Sequence, residues 1–262
     1  FDGLAKRSPF LAFALVLALI TVPYAIFAIL IFWLPPMTRH RLITSWVPIM
    51  MWVIKHVLGI RYRIIGAENM PAGPAVVLSK HQSAWETIAL QQIFPPLCYV
   101  LKRELLRVPF FGWALGMIPG IAIDRAAGKD ALAQVIEQGR ERLREGLWVV
   151  VFPEGTRVAP GATRRYKPGG AILAKRAGVP VVPVAHNAGE FWRRNAFIKR
   201  PGEIVVSIGP VIDVKGVKAN DISELAEAWI ENEMRRLFPH HYHDEGGMPS
   251  VESRPGVAAG GN

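Results

Sequence analysis

A long apolar stretch near the amino terminus is the first pattern along the chain. No charged side chain occurs from Ser8 to Thr38, and the stretch from Phe10 to Leu34 is almost entirely apolar. A helix needs about 20 apolar residues to cross a bilayer, whereas the apolar part of a cleaved signal peptide spans about 7 to 15 residues. The pattern therefore predicts a membrane helix, which Pro23 should kink near its middle.

A second apolar stretch runs from Leu42 to Ile60, with Lys55 and His56 as its only polar interruptions after Trp46. This composition is typical of a helix that lies in the membrane interface. Joined across Pro35 and Pro36, the two stretches can form either a spanning helix with an interfacial partner or a hairpin that enters one leaflet. Basic residues flank both ends of the first stretch, so the positive-inside rule does not choose an orientation.

After Ile60, short β-branched runs alternate with windows of helical periodicity, which is typical of an α/β fold. We expect a mixed or mostly parallel sheet flanked by helices. The candidate strands are Arg61 to Ile65, Ala75 to Ser79, Leu97 to Lys102, Ile121 to Asp124, Leu147 to Phe152, Val179 to Ala185 and Ile204 to Ile208. The clearest helices are Lys129 to Arg144 and Ile222 to Phe238, the latter with Asn220 or Asp221 as its predicted cap.

These patterns divide the chain into three parts: a membrane-anchoring segment (1–59), an α/β domain (60–240) and a Gly-rich tail expected to be disordered (241–262). The formal net charge of +10 favours an anionic partner, which can be nucleic acid, a membrane surface or a phosphorylated substrate. With Cys98 as the single cysteine, no intrachain disulfide can form, and a cytoplasm-facing body fits best.

Candidate catalytic chemistry follows the strand that ends at Ser79. His81 comes two residues after this strand, and Glu86 follows five residues later. An imidazole can take a proton from an alcohol, and a carboxylate can hold the ring in the productive tautomer. In a regular helix this spacing would place the two side chains about 140° apart, so the pair needs a turn between them or a helix that begins within the motif.

Three further blocks accompany this pair. The segment Phe152 to Arg157 follows a buried strand, and a glycine beside an arginine lets the backbone approach an anion that the guanidinium binds. The segment Gly120 to Arg125 also ends a strand with an arginine, and Val179 to Val184 is an apolar strand with two prolines.

In this order and at these separations, the four blocks resemble the glycerolipid acyltransferase family, most closely its bacterial members. The resemblance covers roughly Pro74 to Asn187. It implies that His81 is the base that activates a glycerol hydroxyl for direct attack on an acyl thioester. The family carries Asp where this chain has Glu86, and either carboxylate can orient an imidazole.

The resemblance also implies roles for the other blocks. Arg157 should bind the phosphate of the acceptor, with Arg125 or Lys102 as a further basic contact. The rest of its block should contribute to the same phosphate site, and the fourth block should shape the acyl-donor side. The residues assigned in this way are Glu154, Gly155 and Thr156 for the phosphate, and Val179, Pro180, Val181 and Pro183 for the donor.

The implied reaction moves an acyl chain to the sn-2 hydroxyl of 1-acyl-sn-glycerol-3-phosphate (lysophosphatidic acid) and gives phosphatidic acid. Acyl-CoA or acyl-carrier protein would be the co-substrate, with no bound cofactor, no metal and no nucleic acid. The expected location is the inner membrane of a bacterium, with the catalytic domain facing the cytoplasm. Two alternatives remain: acylation of another lysolipid, such as a lyso-ornithine lipid or lysophosphatidylglycerol, and a non-enzymatic lipid-binding protein.

Overall fold

A computed structural model of the chain describes residues 13, 15, 19–124, 127–196 and 198–242. Within these residues the strands are β1 (Ile60–Ile65), β2 (Val76–Ser79), β3 (Leu97–Lys102), β4 (Ile121–Ile123), β5 (Trp148–Val151), β6 (Val181–His186) and β7 (Gly202–Ile208). They form one sheet in the order β1-β7-β6-β2-β5-β3-β4. Neighbouring strands are parallel except for β6 and β7, which are antiparallel. The predicted α/β fold with a mostly parallel sheet is confirmed.

Helices cover both faces of the sheet. They are α1 (described over 19–30), α2 (Pro36–Thr44), α3 (Trp46–Val57), α4 (Trp85–Ile93), α5 (Phe111–Gly116), α6 (Lys129–Arg144), α7 (Gly169–Ala177), α8 (Ala188–Phe191) and α9 (Ala219–Leu237). The predicted bounds of α6 are confirmed. Helix α9 begins one residue before Asn220, so the predicted cap is wrong, and Lys218 occupies that position.

Two apolar cores lie on opposite faces because successive strand residues point in opposite directions. Along β2, Val77 packs into the core that α3 and α4 cover, whereas Val76 and Leu78 pack into the core beneath α6, α7 and α9. All three side chains are at most 1% exposed. Burial on both faces explains why the central strands are short continuous apolar runs without polar alternation.

The second apolar stretch of the sequence forms two helices rather than one interfacial helix. The break falls at Ser45, between α2 and α3. Helix α3 packs Val47, Met50 and Ile54 into the core, although Trp52 on its other side is 60% exposed. The predicted single helix is thus divided in two, while an interfacial position stays a prediction for the face of α3 that carries the exposed Ile49 and Trp52.

The first apolar stretch is only partly described. In the described part of the chain, no helix combines the length and apolar character needed to cross a bilayer. The exposed side of α1 and of the turn after it is nevertheless apolar, with Leu19, Leu30, Phe32 and Trp33 all more than 60% exposed. Much of Phe10 to Leu34 before Leu19, and the tail from His243 onward, lie outside the described residues.

Two buried histidines join separate elements of the fold. His40 Nε2 on α2 bonds the Leu97 carbonyl at the start of β3, at 2.9 Å. His186 Nε2 at the end of β6 bonds the Lys80 carbonyl at 2.8 Å, while its Nδ1 accepts from the Ala188 amide. Burial lowers the pKa of both rings, because a charged imidazole would lose its hydration there.

The fold should therefore lose stability in mild acid. The folded-state pKa of each ring lies below the value of 6.5 for a free histidine, so below that pH the unfolded chain takes up protons that the folded chain does not. The contribution of these two rings to the free energy of unfolding should be constant above about pH 6.5 and fall below it, and it is measured as the difference in melting temperature between wild type and a histidine variant at each pH. In His40→Gln, whose amide can still donate to Leu97, the fall should be shallower, whereas the exposed His56→Gln should match wild type. An equally steep fall in His40→Gln would contradict this account.

Candidate active site

The candidate site lies at one edge of the sheet. Strands β2, β3, β5 and β6 run parallel, so their carboxyl ends meet at the same edge. His81 follows β2, Lys102 ends β3, and the loop that carries Arg157 follows β5. Side chains that are far apart in the sequence are thereby placed at the same edge, which is where open α/β sheets carry their ligand sites.

His81 and Glu86 are in direct contact. The Nδ1 atom of His81 lies 2.9 Å from Glu86 Oε1. Helix α4 begins only at Trp85, and the four residues before it form a turn that brings the carboxylate back to the ring. The structure thus supplies the turn within the motif that the five-residue spacing required. With Nδ1 bonded to the carboxylate, Nε2 is the ring nitrogen that can take a proton from a substrate hydroxyl.

The Glu86 carboxylate is fully buried and held by three donors on one oxygen. Besides His81, the backbone amides of Gln82 and Ser83 donate to Oε1 at 2.9 and 2.7 Å. Burial by itself would raise the pKa of Glu86, but the bond from His81, the nearby ring of His186 and the Ser83 amide outweigh burial and lower it. The carboxylate is therefore ionised at neutral pH and can stabilise a protonated His81.

The His81 ring is also fixed by an aromatic neighbour. It stacks on Phe152, with ring centroids 4.0 Å apart and an interplanar angle of 17°. Tyr99 stacks on the same phenylalanine at 6.0 Å. The side chain of His81 remains 15% exposed, so the ring is oriented by packing and still reachable by a substrate.

The loop after β5 wraps around the backbone of His81. The Val158 amide donates to the His81 carbonyl at 2.8 Å, and the His81 amide donates to Glu154 Oε2 at 2.7 Å. Gly155 has a φ of 71°, a conformation that favours glycine, and a Cβ atom there would lie 3.3 Å from Lys167 Nζ. The sequence therefore has a glycine at the tight turn that carries Arg157 past His81.

The position of Glu154 corrects one assignment. Its side chain is fully buried and forms an ion pair with Lys80 Nζ at 2.8 Å. A carboxylate in this position is turned away from solvent, with Oε1 in the ion pair and Oε2 accepting from the His81 amide, so it supports the loop and is not placed to contact a substrate phosphate. Thr156, in contrast, is partly exposed, and its hydroxyl accepts from Arg194 at 3.4 Å.

The basic residues at this edge are placed unequally. Arg157 is partly buried and lines an apolar cavity next to the His81 segment, whereas Lys102 is exposed at the end of β3. Arg125 lies outside the described residues. Lys167, whose ammonium lies beside Gly155, adds a cation that is outside the four sequence blocks.

The strand assigned to the acyl-donor side is placed elsewhere. Val181 pairs with Val76, five residues before His81 and about 16 Å away along the strand. Val179 and Pro180 precede it at the opposite edge of the sheet, and Pro183 is buried against Gly209. This block therefore supports the centre of the sheet, and its assignment to the acyl donor does not agree with its position.

An apolar cavity of about 460 Å³ opens beside the His81 segment. Its walls come from α1, α2, α4, β3 and α5, and Ala84, Thr87 and Arg157 form the part that belongs to the site. Representative apolar lining residues are Ala25, Ile43, Ile88, Leu101, Leu115 and Ile118. Cys98 also lines it, but burial raises the pKa of its thiol to about 12, which makes it a poor nucleophile.

Within the described residues, one group of side chains, Glu190, His240 and His241, is close enough together to coordinate a metal ion. Glu190 accepts from His241 Nε2 at 3.2 Å and lies 3.4 Å from His240 Nε2. These distances are those of ordinary ion pairs and hydrogen bonds, so the contacts are satisfied among the three side chains themselves.

Comparison with known proteins gives consistent matches. The acyltransferase family model matches residues 61–187. The 1-acyl-sn-glycerol-3-phosphate acyltransferase of Pseudomonas aeruginosa is 47% identical over 224 residues, which cover 84% of this chain and 87% of that protein. The 1-acyl-sn-glycerol-3-phosphate acyltransferase alpha of Homo sapiens is 31% identical over 211 residues, 79% of this chain and 74% of that protein.

A solved structure has the same fold. The crystal structure of the 1-acyl-sn-glycerophosphate (LPA) acyltransferase PlsC from Thermotoga maritima superposes with a TM-score of 0.75, covering 91% of this chain and 99% of that chain. The sequence identity is 20%, so this likeness concerns the fold.

The contact between Glu86 and His81 predicts how substitutions at Glu86 will behave. Glu86→Gln should still fold, because its amide oxygen can accept the same backbone bonds, but turnover should fall on the order of 100-fold since the imidazolium loses its counter-charge. Glu86→Asp keeps the charge on an arm one methylene shorter and should fall between the two. Turnover per folded molecule and the melting temperature would be measured together, with the exposed Glu68→Gln as the matched control. Wild-type turnover and an unchanged pH profile in Glu86→Gln would contradict the hypothesis that Glu86 orients His81 and stabilises its protonated form.

Proposed function

The chain belongs to the acyltransferase family, and we propose that it moves an acyl chain from a thioester donor to the sn-2 hydroxyl of 1-acyl-sn-glycerol-3-phosphate, giving phosphatidic acid. The observation that carries this proposal is the placement of the His81–Glu86 pair beside an apolar cavity whose wall includes Arg157. A base, an anion-binding cation and a cavity for an alkyl chain are the three features that a phosphorylated lysolipid acceptor requires.

The proposed chemistry is a direct transfer. His81 Nε2 takes the proton of the acceptor hydroxyl as its oxygen forms a bond to the thioester carbonyl carbon. The tetrahedral intermediate then collapses, the carbon–sulfur bond breaks, and the proton on His81 passes to the departing thiolate. Glu86, ionised and bonded to Nδ1, stabilises the imidazolium during these steps. No covalent enzyme intermediate is needed.

The two parts of the acceptor would bind in different environments, the phosphate among basic groups and the acyl chain in the apolar cavity. Its phosphate would bind the guanidinium of Arg157 by charge-assisted hydrogen bonds, with Lys102, Arg125, Thr156 and the Gly155 backbone as further contacts. Its acyl chain would lie along the cavity, where burial of apolar surface contributes about 25 cal/mol per Å². This division holds the hydroxyl near His81 and supplies rate through proximity.

The donor follows from the same chemistry. Acyl-CoA and acyl-carrier protein both present a thioester on a long flexible arm, and either can deliver its carbonyl carbon to His81. The enzyme needs no resident cofactor for this reaction. A transfer assay that offers both donors to the purified protein would identify which one it uses.

The proposal includes a membrane position for the amino-terminal helices, as a spanning helix or a one-leaflet hairpin. The exposed apolar side chains of α1 and its following turn support it, because acyl acceptors reside in the bilayer. We place the protein at the inner membrane of a bacterium, with the α/β domain facing the cytoplasm, where acyl thioesters are made. Release of the protein from membranes by high salt alone would contradict this position.

Two other functions use the same features. Acylation of a lyso-ornithine lipid or of lysophosphatidylglycerol would need the same base and cavity, and an acceptor panel separates these substrates from lysophosphatidate. A non-enzymatic lipid-binding role would not explain the hydrogen bond between Glu86 and His81, since lipid binding needs no general base. The buried, ionised Glu86 therefore favours catalysis.

Arg157 should determine the preference for a phosphorylated acceptor. In Arg157→Ala, transfer to lysophosphatidate should fall on the order of 100-fold, because a bidentate charge-assisted contact is lost, while transfer to a monoacylglycerol should change little. The measurement is kcat/KM for both acceptors, with the exposed Arg63→Ala, on the outermost strand β1, as the control. Equal losses on both acceptors would assign Arg157 to support of the loop instead.

A further inference from the structure

A buried charged cluster lies directly behind His81 and has no place in the reaction described above. Its centre is Lys80, whose side chain has no exposed surface. The ammonium lies 2.8 Å from Glu154 Oε1 and 2.7 Å from Glu231 Oε1, and it donates to the Ala162 carbonyl at 3.4 Å. The ammonium thus has two hydrogen-bond acceptors, Glu231 and Ala162, and a second carboxylate, that of Glu154, at ion-pair distance.

Burying these charges is unfavourable unless they are paired. Removing an ion from water costs several kcal/mol even in a relaxed protein interior. Burial raises the pKa of Glu154 to about 7 against the opposing effect of Lys80. For Lys80, burial lowers the pKa, but Glu154 and Glu231 together outweigh it and raise the value. The ammonium is thus charged and depends on both carboxylates.

The cluster connects α9 to the backbone of His81. Glu231 is on α9, 151 residues from Lys80, and Glu154 uses its second oxygen to hold the His81 amide. Tyr166 extends the link, because its hydroxyl donates to Glu231 Oε1 at 3.1 Å and burial raises its pKa, which keeps that hydroxyl protonated. A continuous chain of polar contacts therefore runs from α9 to the base.

The same chain of contacts holds the phosphate-binding loop. Tyr166 lies one residue before Lys167, whose amide donates to the Pro153 carbonyl, and its own amide donates to Glu227 on α9. The loop is thus tied to α9 after Arg157 and to Lys80 before it. Helix α9 constrains both ends of the segment that passes His81.

We propose that Glu231, assisted by Tyr166, is a positioning residue for acyl transfer that acts through Lys80 and Glu154 to fix the His81 backbone. The inference rests on the proposed function, because it assigns a task within that reaction. It adds a residue on α9, outside the four sequence blocks, to the set on which turnover depends. Neither Glu231 nor Tyr166 contacts the substrate.

The test compares Glu231→Gln with wild type in acyl transfer from acyl-CoA to lysophosphatidate. The neutral amide no longer balances the ammonium, so His81 loses part of its support, and kcat per folded molecule should fall about 10- to 100-fold. KM for lysophosphatidate should change less than about threefold, because Arg157 keeps its own side chain and its loop stays tied to α9 by the bond from the Tyr166 amide to Glu227. The melting temperature, measured on the same samples, gives the folded fraction.

Glu233→Gln is the matched control. Glu233 is on the same helix and bonds Arg236 and Ser207, without contact to Lys80. Its kcat should remain within about twofold of wild type, even if its melting temperature falls. Wild-type kcat in Glu231→Gln, or an equal loss of kcat in Glu233→Gln, would overturn the proposal.

A second variant pair covers the case in which Glu231→Gln folds poorly. Lys80→Met leaves two buried carboxylates without their cation, so adding Glu231→Gln to it removes one unpaired charge. The double variant should therefore have a higher kcat and melting temperature than Lys80→Met alone, the reverse of the effect in wild type. A double variant no better than Lys80→Met would contradict the link. Absence of transfer by wild type would instead refute the proposed function.

Discussion

The pairing of buried charges around His81 is the constraint on which the rest of the site depends. Lys80 and Glu154 have no exposed side-chain surface, and neither does Glu86 on the other side of the base. An unpaired charge in such a position costs several kcal/mol, so each side chain is stable in only one arrangement of its neighbours. The turn before α4, the loop after β5 and the docking of α9 follow from this requirement, and together they hold the imidazole in place before any substrate binds.

The apolar part of the site is a cavity formed by the sheet and the amino-terminal helices. Charged groups lie behind His81, whereas the cavity beside it is lined mainly by aliphatic side chains from α1, α2, α4 and α5. A lysolipid has the same division, with a charged head and an alkyl chain. In the proposed reaction, the hydroxyl to be acylated would lie between the two, beside His81. The exposed apolar surface of α1 continues the apolar side of this division, which fits the membrane position proposed for the amino-terminal helices.

Local patterns predicted much of this structure because they report on local physics. The apolar run Leu147 to Val151 indicated a buried strand, and the amphipathic period of Lys129 to Arg144 gave α6 with its observed bounds. Contacts between distant residues were not predictable in this way. Nothing in the sequence around Glu231 indicates a partner 151 residues away. The motif that contains Glu154 predicts a site residue, although its side chain is buried in an ion pair with Lys80. Val179 likewise carries no sign of which edge of the sheet it occupies.

We propose His81 as the base for acyl transfer, and every other role assigned to the site follows from that one. The most direct measurement is the transfer of a labelled acyl group from acyl-CoA or acyl-carrier protein to lysophosphatidate by purified His81→Ala, with the exposed His56→Ala as control. We expect His81→Ala to lose at least about 1,000-fold in kcat while its melting temperature and membrane association stay near wild type. Appreciable turnover by a folded His81→Ala enzyme would contradict it.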